Sequence, residues 1–391
     1  MKIEEIQNYI ASEKADAWCI YDYECTNPNL IGLLGKRFLT RKCFVIIPVK
    51  GKPYIICHQI DKVQFKDIVD YDFIIYKNWN QLLDILKDKM TPYKNVLMEI
   101  TENGILPHSS YVDYGTACLF KSFGLNLLSS ANLAQYFDAV FDGESYDLFM
   151  EAAKKCDEIK DLAFKYIKGE IAQNGKVSEY DVQQYIMKLF KDNSMVTDSE
   201  PIVARGNHAN DPHYAPSLSD FDYIVEGDLV LIDLWAKYDK PKAVFGDITW
   251  MGYVGTEVPS IYKERFDIVK ESIDAALAFL NDELPKRKVY GYEVDDLVRS
   301  VIAKYHYQDY FIHRTGHSIS IANSSHGTGV NIDGYETHDE RELIDKIAFS
   351  IEPGIYAEDF GIREEIDVYI LNRKPIVASR RQKEIVAIMS L

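Results

Sequence analysis

Two acidic residues sit where strand-forming sequence calls for apolar ones. Asp233 interrupts the run LVLIDLW at 229–235, and Asp247 interrupts AVFGDITW at 243–250. Alternation places Asp233 on one strand face with Leu229, Leu231 and Trp235. A buried carboxylate is costly unless backbone amides or a cation meet it. One such residue is compatible with ordinary amide pairing, but two facing one interior repel each other unless they are protonated or share a cation. Further donors follow. Glu352 closes the run FSIE just before Pro353 and Gly354, a turn signal that would leave its carboxylate at a strand tip or exposed in the turn. In GIREEIDVYI, alternation puts Arg363, Glu365 and Asp367 on one face and Glu364 on the other with Ile362 and Ile366; parity alone leaves open which glutamate faces inward. The segment HRTGH carries His313 and His317 four residues apart, on one face of either a strand or a helix, and Arg314 stands where a zinc-protease HExxH would need glutamate. His213 and His326 lie in similar Gly-, Pro- or Ser-rich, loop-like surroundings. Carboxylates joined by an imidazole form an oxygen-rich set suited to two divalent ions, which can turn water into a nucleophile at neutral pH. No GxSxG or phosphate-loop pattern offers a competing chemistry.

The elements that must position these residues change character along the chain. Up to about residue 140, short β-branched or aromatic runs (18–21, 43–47, 54–57, 73–76 and 96–100) alternate with polar or helical stretches, including one near 79–90, which predicts an α/β domain. From Ser145 the period shifts. Leu148, Phe149, Ala152, Ala153, Cys156, Ile159, Leu162, Ala163, Tyr166 and Ile167 recur at three- and four-residue steps, the stripe of a long amphipathic helix. SEYD at 178–181 offers a capping start for a second helix. Two strands around Asp233 and Asp247 follow, separated by KYDKPK, then helices carrying Phe266, Val269, Ile273, Leu277 and Leu280 and covering 293–305, and finally strands at 347–351, 361–370 and 384–389. The turn-prone FDGES marks the expected boundary, giving domains 1–140 and 141–391.

Composition narrows the partners. The 391 residues are long enough for two cores. A formal charge of −17 repels polyphosphate backbones and anionic lipid, so neither nucleic acid nor a membrane is an expected partner. Six scattered cysteines without a CxxC pair suit reduced, buried thiols. The charged N-terminus lacks the apolar core of a secretory signal and no apolar run approaches the ~20 residues of a span, so a cytoplasmic location is expected.

At these residues the chain resembles the creatinase/prolidase/aminopeptidase P group of pita-bread metallopeptidases, with some N-terminal likeness to bacterial Xaa-Pro peptidases in DAW and YDYECTNPN. The motifs are DPHY at 211–214, IDLWA at 232–236, GDITW at 246–250, HRTGHS at 313–318, SIEPGIY at 350–356 and GIREEIDV at 361–368, in order. The resemblance covers the whole length. It implies an α/β N-terminal creatinase-like domain plus an α+β pita-bread C-terminal domain. It also implies that Asp233, Asp247, His317, Glu352 and Glu365 ligate two divalent ions, with Asp247 and Glu365 bridging; Glu365 is selected because the family glutamate falls two places after the arginine, here Arg363. Manganese is the expected metal, with cobalt, zinc or iron also compatible with such ligands.

By the same resemblance His213, His313 and His326 form an outer ring that holds substrate and moves protons, and Glu352 accepts the proton of a metal-bridging hydroxide. The implied reaction is hydrolysis of the bond between an N-terminal residue and proline, on a peptide or dipeptide with proline second, by a homodimer. Two rivals on the same fold are a metal-free creatinase-like amidinohydrolase and a non-catalytic binding module, both expected to have lost metal ligands. A dipeptidase would further need a cation or histidine for the substrate carboxylate, for which Arg205, His208 and Arg314 are candidates. The chain departs from the family pattern in a longer KYDKPK connection and in two extra residues between His317 and His326, with Ser320 replacing a glycine.

Overall fold

The β-branched and aromatic runs near the N-terminus pair into one six-stranded mixed sheet in the computed structural model, which describes residues 1–106, 109–357 and 360–391. Its strands are β1 (Ala17–Asp22), β2 (Cys43–Pro48), β3 (Tyr54–His58), β4 (Asp72–Tyr76), β5 (Asn95–Met98) and β6 (Asn126–Ser129), arranged β4-β3-β2-β1-β5-β6. Helices α1 (Ile3–Ser12), α2 (Pro28–Leu34), α3 (Trp79–Met90), α4 (Tyr114–Ser122) and α5 (Ala131–Asp138) cover it. Successive residues of β1 serve opposite sides. Trp18 and Ile20 pack with Ile6, Leu30 and Leu133 of α1, α2 and α5, while Cys19 and Tyr21 pack with Leu86 and Phe120 of α3 and α4. Burial on both sides explains why β1 and β2 read as continuous apolar runs. These elements form one compact unit, Met1–Asp138, and Ala139–Leu391 forms the second.

The second unit opens with α6 (Glu144–Asn174), whose stripe from Leu148 to Ile171 is buried as its period requires. Leu162, assigned to that stripe by spacing, points outward instead, 40% exposed. Short β7 (Lys176–Ser178) leads into α7 (Glu179–Asp192), capped by the Ser178 hydroxyl, which accepts the Asp181 N–H at 2.9 Å. Then come β8 (Met195–Val196), β9 (Ile202–Arg205), β10 (Tyr223–Val225), β11 (Leu229–Tyr238) and β12 (Gly246–Tyr253). Strands β11 and β12 are antiparallel, with Asp233 opposite Thr249 and Trp235 opposite Asp247. The two aspartates are therefore diagonal neighbours on one sheet face. On the other face, Ile232, Leu234, Ile248 and Trp250 join Cys156, Ile159, Ala163 and Phe164 of α6 in the main core.

Helices α8 (Ser260–Glu283) and α9 (Gly291–Lys304) follow, then β13 (Ser318–Ile319), β14 (Ala348–Ile351), β15 (Gly354–Ala357), β16 (Phe360–Arg363), β17 (Ile366–Ile370), β18 (Pro375–Val377) and β19 (Val386–Ala387). A second antiparallel sheet runs β13-β14-β17-β18. The stretch 361–370 is not the single strand its pattern suggests. It breaks at Glu364–Glu365, because Gly361–Arg363 pairs with β15 whereas Ile366–Ile370 pairs with β14. Among the described residues no helix is long and apolar enough to cross a membrane.

Candidate active site

The inner face of β11 and β12 forms the floor of a cavity of about 1000 Å³ lined by all eight residues singled out above: His213, Asp233, Asp247, His313, His317, His326, Glu352 and Glu365. Each arrives by a different local device. The β-hairpin supplies Asp233 and Asp247. Glu365 sits at the break between β16 and β17, where its N–H donates to the Thr249 carbonyl (3.2 Å) and its carboxylate accepts the Thr249 hydroxyl (2.8 Å). Glu364 turns away, accepting from Arg381 at 3.1 Å and from the Gln382 N–H at 3.2 Å. Glu352 follows the last residue of β14, and its N–H is held by the Thr315 carbonyl at 2.7 Å. Thr315 to His317 thus run against the end of β14, where Gly316 is required: a Cβ there would lie 2.0 Å from the Ser350 carbonyl oxygen.

The electrostatics of this floor are unbalanced. Asp233, Asp247 and Glu365 are all buried. Burial, and then Asp233, push the Asp247 carboxyl well above its ordinary range; burial, and then Asp247, do the same to Glu365. Burial also raises Asp233, opposed by Arg363, whose Nη2 donates to Asp233 Oδ2 at 2.6 Å. Of the four carboxylates Asp233, Asp247, Glu352 and Glu365, the Arg363 guanidinium bonds Asp233 alone, and Asp233 Oδ1 is buried with no hydrogen-bond partner among the described residues. Ligand atoms of Asp247, His317 and Glu365 all lie within 4.8 Å of one another, close enough for cation bonds of about 2.0–2.2 Å to converge. His317 completes the fit. Burial lowers its imidazole to about 4, so it is neutral at pH 7. Its Nδ1 lies 3.1 Å from the Ser318 carbonyl oxygen, which can only accept, so Nε2 presents a lone pair toward Asp247 (3.6 Å) and Glu352 (3.5 Å). These residues fit divalent cations.

The outer histidines are placed unequally. His313 lies in irregular chain rather than on a shared face with His317, and both of its ring nitrogens are engaged. Nδ1 meets the Arg314 carbonyl oxygen at 2.7 Å, and Nε2 meets the Tyr356 hydroxyl at 2.7 Å. Arg363 Nη1 donates to that same hydroxyl at 2.9 Å, which directs the Tyr356 O–H toward His313. Burial, and then Arg363, lower His313 to about 3, keeping it neutral. His326 packs against His317 with ring centroids 4.0 Å apart, and Arg314 Nη2 lies 3.4 Å from its Nδ1, which leaves Nε2 to carry the proton. The longer loop before His326 is pinned where Asp198 accepts the Ser325 N–H (3.0 Å) and the Trp235 indole (2.6 Å) and where Lys237 donates to the Ala322 carbonyl. His213 is exposed on a loop at the cavity wall.

Of the three candidate carboxylate clamps, Arg314 lines the cavity, where its N–H donates to Glu336 at 2.9 Å. Arg205 is instead bound by Asp228 and Asp222, and His208 by Glu179. Thr249, Tyr356, the bridging use of Arg363, and Asp198 were not apparent from sequence. Tyr356 and Thr249 carried a signal all the same, since each lies inside a motif quoted for its acidic residue.

Residues 147–372, more than half of the chain, match metallopeptidase family M24. The chain is 24% identical over 413 residues to the Xaa-Pro dipeptidase of Lactobacillus delbrueckii subsp. lactis, covering 99% of this chain and 100% of that one. It is 30% identical over 241 residues to the Xaa-Pro dipeptidase of Pyrococcus furiosus, covering 60% and 63% of the two chains. Among solved structures, the Xaa-Pro dipeptidase from Bacillus anthracis superposes with a TM-score of 0.57 at 22% identity, covering 98% of each chain. The likeness extends to the pita-bread fold of the second unit. On these grounds the chain belongs to metallopeptidase family M24.

Proposed function

We propose that this chain is a metal-dependent Xaa-Pro peptidase of the dipeptidase type. Residues 141–391 form its catalytic unit, and Asp233, Asp247, His317, Glu352 and Glu365 would hold two divalent cations, Asp247, His317 and Glu365 bringing ligand atoms within 4.8 Å of one another. The observation that carries this reading is the convergence of four carboxylates and a neutral imidazole on one cavity, where the Arg363 guanidinium bonds Asp233 alone of the four. Manganese suits such an oxygen-rich set. The cations would supply Lewis acidity that lowers the pKa of water and polarises the scissile carbonyl.

The chain's own groups do the rest. Ser350 donates to Glu352 Oε1 at 3.0 Å, fixing a carboxylate whose Oε2 can take the proton of the attacking water. His213 and the Nε2–H of His326 face the developing oxyanion. His313, which lines the cavity and accepts the Tyr356 hydroxyl, would relay a proton toward the leaving nitrogen. Arg314 takes the free carboxylate of a dipeptide, a pairing for which a guanidinium is well shaped. A cytoplasmic homodimer completes the reading, supported by six free cysteines and by the family resemblance. The intact donor set opposes a metal-free amidinohydrolase or a binding module.

The test combines elemental analysis with paired substrates. Protein purified without added metal is expected to carry two equivalents of a transition metal and to cleave Xaa-Pro in preference to Xaa-Pro-Yaa. Arg314→Ala should raise KM for the dipeptide about tenfold or more, the worth of one charged hydrogen bond. Absence of metal overturns the peptidase reading; equal cleavage of the tripeptide overturns the dipeptidase assignment.

A further inference from the structure

The loop that carries His213 is the least self-supporting part of the site. The imidazole is exposed, and the residue's own anchor is its N–H, which donates to the Asp211 carboxylate at 2.9 Å. What holds the surrounding segment is a carboxylate outside the cavity. Glu179, at the start of α7, is 0% exposed and gathers donors from both ends of the loop. Its Oε1 accepts the Arg205 N–H at 2.7 Å; its Oε2 accepts the Tyr214 hydroxyl at 2.6 Å and the Asp222 N–H at 2.7 Å; and His208 Nδ1 lies 3.0 Å from both oxygens. On its far side the same loop presses its Ala209 carbonyl against Gly361, where a Cβ would come within 1.9 Å of the oxygen. The loop is therefore clamped between a buried carboxylate and the strand that carries Arg363.

We propose that Glu179 is a positioning residue that holds His213 over the cavity. It acts through His208 and Tyr214 rather than through the metal or the substrate. A buried carboxylate with this many donors is the strong form of hydrogen bonding, since each contact is charge-assisted. Its removal strands a hydroxyl, an imidazole and two backbone N–H groups in a partly buried place. The inference rests on the peptidase reading for its kinetic consequence and on geometry alone for its structural one.

Both consequences can be measured on the full chain. In Glu179→Ala, amide hydrogen exchange should rise over 205–222 and stay unchanged over 229–238 and 246–253, with metal content intact. Turnover per metal-loaded enzyme should fall by about ten- to a hundredfold, the scale of an ångström-level misplacement. The fall should be non-additive: Glu179→Ala with His213→Ala should lose no more than His213→Ala alone. Glu179→Gln, which keeps an acceptor for Tyr214, should recover part of the rate and serves if the alanine variant does not fold. Unchanged exchange in the loop, or losses that multiply in the double variant, would overturn the proposal. An inactive wild-type enzyme sinks the peptidase reading separately and leaves the exchange experiment to decide the role of Glu179.

Discussion

Each unit buries acidic side chains, and the two do so in opposite ways. In the first, Glu99 is enclosed with a full set of neutral donors: the Trp18 indole at 2.8 Å, the Asn27 amide at 3.2 Å and the Ser130 hydroxyl at 3.2 Å. In the second, Asp233, Asp247 and Glu365 are enclosed together with fewer donors, Arg363 on Asp233 and the Thr249 hydroxyl on Glu365, and one oxygen of Asp233 has no partner among the described residues. A single carboxylate surrounded by N–H and O–H groups is an internal strut of the fold. Several carboxylates that leave one another short of positive charge are suited to a cation. The number of acidic groups matters less than the kind of neighbour each one has.

That contrast is broken most severely by emptying the second cluster. Asp247→Ala and Glu365→Ala should each lower cleavage of an Xaa-Pro dipeptide on the order of a thousandfold or more, because both Lewis-acid activation and carbonyl polarisation are lost. Metal titration by calorimetry should show the missing sites directly. Retained activity with metal-stripped variant protein would contradict the whole assignment.

A smaller effect is expected one layer out, where neutral and charged groups join. Tyr356→Phe removes the hydroxyl between Arg363 and His313, and Arg363→Lys removes the fork that reaches Asp233 and Tyr356 together. Each should cost about ten- to a hundredfold in kcat/KM, the usual scale for groups that orient metal ligands. Stoichiometric metal binding at saturating metal should persist.

The first unit supplies the contrasting result. Burial raises the Glu99 carboxyl to about 7 in spite of its donors, from an ordinary value of 4.5. Between those two pH values the folded chain holds more of this proton than the unfolded chain, so this group's contribution to stability falls as pH rises through that window. Glu99→Gln should flatten the urea-unfolding stability of the protein across it, with a difference from wild type of about 3 kcal/mol. Metal content and turnover should not move. If they do, the distinction between strut and site fails.

Much of the second cluster was legible in the sequence because its residues break patterns. An aspartate in LVLIDLW is an anomaly, and alternation assigns its face without any fold in hand. Glu365 was less legible. Parity separated it from Glu364, yet the strand pattern concealed the break at which β16 hands over to β17, and the choice needed the family spacing. Tyr356 and Thr249 conform to strand preferences, so only their place inside the motifs of Glu352 and Asp247 marks them. Glu179 was hidden for a different reason. At the first turn of a helix an acidic residue is expected on dipole grounds alone, and its partners at 205, 208, 214 and 222 are gathered only by the chain's path in space. His326 shows the reverse: two extra residues blurred its place, and Asp198 and Lys237, distant in sequence, restore it.

At Gly246 the backbone of β12 lies so close to α6 that a Cβ would come within 2.4 Å of the Ala153 nitrogen. The adjacent residue is Asp247. The same strand is thus wall to the oily interior on one side and bed for the reacting groups on the other, with no padding between. Sequence drift in this helix is therefore not silent: a bulkier residue at 153 or 246 would push one aspartate away from its diagonal neighbour. The family's chemistry constrains which interiors can be inherited with it.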